Sequence, residues 1–195
     1  SSPAQYPLLL ESVAGGNALS RWDLLLIGNG DGLRFDAHGN ARRLDGAVIS
    51  GKFLDALDAD WRAQRCGVTD ATLPFRGGWA LFFAYELAAQ IESVLALPRA
   101  PGPLPIALAL RCPAAILRDH GTGRCVALCE DGHSELLVGI DEDLISAAKL
   151  TPLAAWQSPA KIVEDEAASF LRGVEKVHDY LRAGDVFQVN LSRAW

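Results

Sequence analysis

The sequence predicts an α+β protein of mostly antiparallel sheets with flanking helices. Two observations carry this. Short apolar runs with period-two alternation come in groups, joined by Gly, Asn, Asp and Pro turns, and do not alternate one by one with helices. Helical 3–4 periodicity is confined to a few separated stretches, with no crossover helix between most neighbouring runs.

The elements follow in chain order. Residues 6–12 alternate after Pro7 and read as a short strand. Residues 14–17, Ala-Gly-Gly-Asn, form a loop. Residues 22–27 are apolar on both faces, the pattern of a central strand. Gly28-Asn29-Gly30-Asp31-Gly32 then leads into Leu33-Arg34-Phe35, and a turn at His38-Gly39-Asn40 leads into residues 41–44, completing an antiparallel meander. A dinucleotide loop needs G-x-G-x-x-G opening a helix. Here the spacing differs and a strand follows, so these glycines read as a hairpin turn.

Ser50 is placed to cap a helix over residues 51–64, with Phe53, Leu54, Leu57 and Trp61 on its buried face. Residues 67–74 form a linker, 79–85 a buried strand, and a helix runs on through Leu95. Gly77-Gly78 permit close backbone approach at a sheet bend, and Tyr85 reads as packed with its hydroxyl bonded. Pro98 to Pro105 is loop. Residues 106–110, 114–118 and 124–129 read as strands, the last two joined at His120-Gly121-Thr122-Gly123. Residues 141–150 form a short helix. A longer one spans 164–183, with Ala167, Phe170, Leu171, Val174, Val177 and Leu181 on one face and Gly184 as its cap. Residues 185–191 read as a strand with Phe187, Val189 and Leu191 on one face and Val186, Gln188 and Asn190 on the other. That closing unit has little after it to pair with, and the reading is of a chain cut inside a larger domain. The organisation expected is 1–150, a linker over 151–163, and the start of a second region over 164–195.

Composition narrows the function classes. A net charge of −6 without a basic run argues against nucleic acid. No apolar stretch reaches the length of a membrane span, and the first residues lack a signal pattern. The four cysteines (Cys66, Cys112, Cys125 and Cys129) show no C-x-x-C spacing, and Cys125 and Cys129 share a strand face. They read as free thiols, which suggests the cytoplasm. His120 and His133 sit at turns and lack metal spacing, so no metal site is expected in this chain.

Three stretches in order carry a family resemblance. They are Leu8-Leu9-Leu10-Glu11-Ser12 followed by Ser20-Arg21-Trp22-Asp23; Pro74-Phe75-Arg76-Gly77-Gly78 through Ala84-Tyr85-Glu86-Leu87; and Gly184-Asp185-Val186-Phe187-Gln188-Val189-Asn190-Leu191-Ser192. Together they resemble the chorismate-utilising enzymes, whose branches include aminodeoxychorismate synthase component I and anthranilate synthase component I. The third stretch is the specific one. The aminobenzoate branch typically reads Gln-Val-Asn-Leu, as residues 188–191 do, whereas the anthranilate branch more often has Val at the Asn190 position.

The resemblance implies an incomplete part of that family's fold. It also implies an activity for the complete enzyme: amination of chorismate to 4-amino-4-deoxychorismate, for p-aminobenzoate and folate. That reaction uses Mg²⁺, with ammonia delivered by a glutamine amidotransferase subunit. The family motifs that hold the metal and the ring lie beyond the point matching Trp195, so the resemblance implies no catalytic residue here and an inactive fragment that binds no metal. It also implies a pocket for L-tryptophan, with Leu10, Ser12, Ser20, Arg21, Trp22 and Asp23 as the matching positions. Asp23 and the Ser12 and Ser20 hydroxyls would meet the polar ends of the amino acid and Leu10 its ring. The same residues also read without a ligand, Asp23 pairing with Arg21 or a backbone amide. Two alternatives stand beside this reading: an anthranilate synthase component I fragment, and a stand-alone, non-catalytic amino-acid-binding module.

Overall fold

A computed structural model describes residues 4–12, 20–65, 67, 72–99, 102–151, 154, 155, 157 and 162–193. The chain divides into two units, residues 1–150 and 151–195. Among the described residues no helix is long and apolar enough to cross a membrane. Cys66 and the whole loop at 14–17 lie outside the described residues.

The first unit holds two four-stranded antiparallel sheets. One has the order β1 (Leu8–Leu10), β2 (Trp22–Ile27), β7 (Ala114–Asp119), β8 (Cys125–Cys129). The other runs β4 (Ala41–Arg43), β3 (Gly32–Phe35), β6 (Ala107–Cys112), β5 (Gly78–Phe83).

Period-two alternation sorts side chains into layers. On β6, Ala107 and Ala109 join Leu33, Ala41 and Phe53 under helix α1 (Phe53–Ala63). On the opposite face Leu110 and Cys112 meet Leu26, Ala115 and Leu117 of the first sheet, together with Ala80. On the outer face of the first sheet, Ile27 and Ala114 pack against Ile140, the first residue of α3 (Ile140–Ala148). The unit is thus layered as helix, sheet, sheet, helix, with Phe53 stacked on Phe35 at 6.2 Å and edge-on to Phe83 at 6.4 Å.

The meander reading fails at Gly28–Gly32. β2 does not pair with β3; the chain leaves one sheet and enters the other. The paired stretch of the same chain does so at Pro113, since β6 continues into β7 through that single buried residue. Ile27 pairs with Ala114 and Gly32 with Leu110, so residues 28–31 face only residues 111–113. One extra residue on one side is a β-bulge, the device by which strands bend and change sheets. Asp31 accepts from the Arg111 amide at 3.0 Å, and Gly30 takes φ +90°. Gly32 has no room for a side chain: a Cβ would stand 2.4 Å from the Ala109 carbonyl oxygen. The hairpins read at β3–β4 and β7–β8 do form.

Other elements differ in detail. α1 begins after Lys52, not at Ser50. Its faces hold as read except at Trp61, which is half exposed. The helix expected through Leu95 is only a 3₁₀ turn at Tyr85–Leu87 and α2 (Ala88–Ile91). Tyr85 is 80% exposed rather than packed. Only Leu87 of this segment reaches the core, so little apolar burial exists to extend the helix.

The second unit holds α4 (Ala167–Ala183), capped by Gly184 at φ +79°. After it residues 185–193 form no strand, in contrast to the reading. A strand exists only by pairing, and no described residue supplies a ladder. Leu191 instead lies over Gly173, where a Cβ would meet its Cδ2 at 3.0 Å, and Arg193 pairs with Glu164 at 2.8 Å. Within this segment the Gln188 amide donates to the Asn190 side-chain oxygen at 3.4 Å, and Phe187 is fully exposed.

Candidate functional site

The end of the first sheet gathers three segments: residues 10–12 leaving β1, residues 20–23 entering β2, and the turn 119–124 between β7 and β8. Register does this. Trp22 pairs with Asp119 and Asp23 with Arg118, so the turn beyond β7 meets the entry to β2.

Asp23 is the centre of one cluster. Its Oδ1 accepts the Ser12 amide at 2.9 Å and its Oδ2 faces His120 Nε2 at 2.9 Å. The Ser12 amide, then the His120 ring, hold the Asp23 carboxyl below its usual value, against a smaller opposing effect of desolvation. The Ser12 hydroxyl donates to the Trp22 carbonyl at 2.8 Å. The His120 amide donates to the Arg21 carbonyl, also at 2.8 Å.

Asp119 is the centre of a second cluster beside the first. Arg21 grips it with Nε at 2.9 Å and Nη2 at 2.6 Å, a two-pronged pair. The Gly121 amide and the Thr122 hydroxyl add donors at 2.9 and 3.0 Å. The Arg21 guanidinium is the chief reason that this carboxyl sits far below the usual carboxylate range. The same guanidinium lies over the Trp22 ring at 4.9 Å. A cleft of about 260 Å³ opens here, lined by Arg21, Trp22, Asp119 and Thr122 among others.

Five of the six residues singled out in the sequence therefore stand at one place. Ser12, Arg21, Trp22 and Asp23 share contacts, and half-buried Ser20 precedes them. Of the six, Arg21 and Trp22 line the cleft; Ser12, Ser20 and Asp23 stand beside it, and Leu10 is paired with Leu24 and half exposed. Asp23 takes a backbone amide, as the ligand-free reading has it, but Arg21 pairs with Asp119 and not with Asp23. His120 and Thr122 are read in the sequence only as part of a turn, and Asp119 is not singled out there. Nothing local in the sequence marks them, because Asp119 lies 98 residues from Arg21.

Chemically, the site is a set of paired charges. Asp23 uses two of the roughly four acceptor positions of a carboxylate, which leaves capacity for an ammonium group. Among the described residues no group of three or more His, Cys, Asp or Glu side chains stands together as metal donors.

Comparison with known proteins gives the family. The structure is similar to anthranilate synthase component I from Streptococcus pneumoniae TIGR4, at TM-score 0.68 and 22% identity. The match covers 97% of this chain and 43% of that one, so the chain spans less than half the length of the solved protein. At this identity the likeness shows the fold. No curated protein matches the chain. The model of the chorismate binding enzymes matches residues 8–195, from the first strand onward. With nearly every residue inside that match, the chain belongs to the chorismate binding enzyme family.

Proposed function

We propose that the chain is the amino-terminal part of an aminodeoxychorismate synthase component I, the enzyme that replaces a chorismate hydroxyl with ammonia. The observation that carries the choice of branch is Asn190 in Gln188-Val189-Asn190-Leu191, the aminobenzoate form of the motif. Its amide is exposed and within reach of Gln188. In this reading the complete enzyme takes ammonia from a glutamine amidotransferase subunit and works in the cytoplasm. Mg²⁺ would assist departure of the hydroxyl. The described residues offer no cluster of donors that fits the metal, and no step through it is assigned to this chain.

The same reading gives the Arg21–Asp23 region a free amino acid of the L-tryptophan type. Its ammonium would compete with His120 for Asp23 Oδ2, since that oxygen already faces the imidazole at 2.9 Å. Calorimetric titration with L-tryptophan checks this. Asp23→Asn should weaken binding at least about tenfold through loss of a charge-assisted contact, and equal affinity would sink the assignment.

The branch is tested on the untruncated protein from the same source, given chorismate, Mg²⁺ and ammonium. Product that becomes p-aminobenzoate only after adding aminodeoxychorismate lyase supports the proposal. Anthranilate formed without the lyase overturns it and moves the chain to the anthranilate branch.

A further inference from the structure

A second cleft, built by other elements, carries chemistry that the first site does not use. It has a volume of about 390 Å³ and lies between the end of α1, the Phe75–Gly78 segment and β6. Three guanidiniums line it, from Arg65, Arg76 and Arg111, against one carboxylate, Glu130.

Arg111 and Glu130 satisfy one another. Arg111 Nη1 is 2.9 Å from Glu130 Oε1, Nη2 meets Oε2, and the remaining donors reach Gly78 and Gln64. Their charges cancel, which leaves Arg65 and Arg76 uncompensated. Among the described residues no carboxylate pairs with either. Arg65 is held over the Trp61 ring at 4.9 Å. Arg76 Nη1 is buried and has no hydrogen-bond partner. A buried donor without an acceptor is costly and rare in folded proteins. The Arg76 side chain is itself only half-buried and lines the cleft, where its guanidinium can meet an oxyanion entering from solvent.

The cleft is also one-sided. Trp61, Gly78 and Trp79 border it and also an adjoining groove of about 410 Å³ walled by Leu54, Leu57 and Leu81, whose one carboxylate, Asp58, is paired with Arg62 at 2.8 Å. A cationic end thus runs into an apolar one. We propose that this paired cleft binds a small organic acid, its oxyanion head between Arg65 and Arg76 and its apolar body along Trp61 and Trp79. The volumes suit a molecule of metabolite size. The guanidiniums suit a carboxylate or a phosphate head alike, with two-pronged hydrogen bonds.

The test follows tryptophan fluorescence of the whole chain, since two of its five indoles border the cleft. The probes are phenylacetate, phenyl phosphate, neutral 2-phenylethanol and inorganic phosphate. Saturable quenching by phenylacetate or phenyl phosphate, absent with 2-phenylethanol and weaker with inorganic phosphate, is expected. Whichever of the two acids binds tighter identifies the head. Arg76→Gln should weaken binding at least about tenfold. Arg65→Gln, on an exposed side chain, gives the same direction should Arg76→Gln fail to fold. Equal binding of the neutral alcohol, of inorganic phosphate alone, or of both variants overturns the proposal, as does the absence of saturation by either acid. Each of these readouts is independent of the enzyme branch.

Discussion

Replacing Arg111 with methionine measures the cost of taking one side of a buried ion pair away. Arg111 is 3% and Glu130 9% exposed, and the guanidinium donates to both Glu130 oxygens, to the Gly78 carbonyl at 2.8 Å and to Gln64. It also lies over Trp79 at 5.7 Å. Methionine fills much of the same volume, so the loss is electrostatic. Glu130 then loses its two-pronged cationic partner in a place that solvent barely reaches. Breaking one side of such a pair costs about 3–5 kcal/mol. For a domain of this size that is a fall of roughly 6–20 °C in melting temperature. Changing both residues, Arg111→Met with Glu130→Leu, removes both halves of the pair and should return stability to within about 1 kcal/mol of the parent. What remains is the Gly78 carbonyl, which loses one donor at about 1 kcal/mol. Urea unfolding followed by far-UV circular dichroism measures all three proteins. A single substitution costing less than about 1 kcal/mol would mean that solvent reaches the pair, and the reasoning would fall.

Other outcomes follow from named contacts. Gly77→Ala should cost about 2–4 kcal/mol in the same unfolding assay, because φ is +113° and the new Cβ would stand 2.1 Å from Glu130 Oε1. The carboxyls of Asp23 and Asp119 both lie below their usual 3.8 in the fold. Their contribution to stability is therefore complete above that pH and is lost as pH falls through the lowered values. Melting curves between about pH 5 and pH 2 should show a smaller acid loss for Asp119→Asn than for the parent. Burial, then the Asp143 contact at 2.6 Å, push the Tyr6 hydroxyl up to about 12 from 10.0. The stability held there is full below pH 10 and declines as pH rises through about 12. Ultraviolet titration of tyrosinate should lose its highest-pH component in Tyr6→Phe.

Where local pattern and burial agree, the sequence was readable. β2, β7 and β8 alternate or run apolar as their neighbours require, and the α4 stripe ends at Gly184. Where pairing decides, it was not. Gly28–Gly32 has the composition of a hairpin, yet the residues it must pair with lie about eighty positions on, so only the tertiary register shows it to be a corner. Residues 185–191 carry strand alternation but no ladder. The site divided in the same way. Ser12, Arg21 and Asp23 were legible through their motif, whereas Asp119 and His120 come from a distant turn and have no signature before the sheet is assembled. Gly77 was legible as a point of close approach; that the approaching group is the Glu130 side chain was not.

The Pro113 corner has a consequence for the way the molecule opens. Pro113, Cys112 and Ala114 are fully buried, and the Pro113 carbonyl accepts the Glu130 amide at 2.8 Å. β6 and β7 therefore have one rigid residue between them, and each is an interior strand of its sheet. Neither sheet can peel from its neighbours without dragging the other's middle strand. Amide hydrogens of Leu108 in one sheet and Leu117 in the other should then exchange with deuterium at a shared, global rate. The two sheets would behave as one opening unit rather than two.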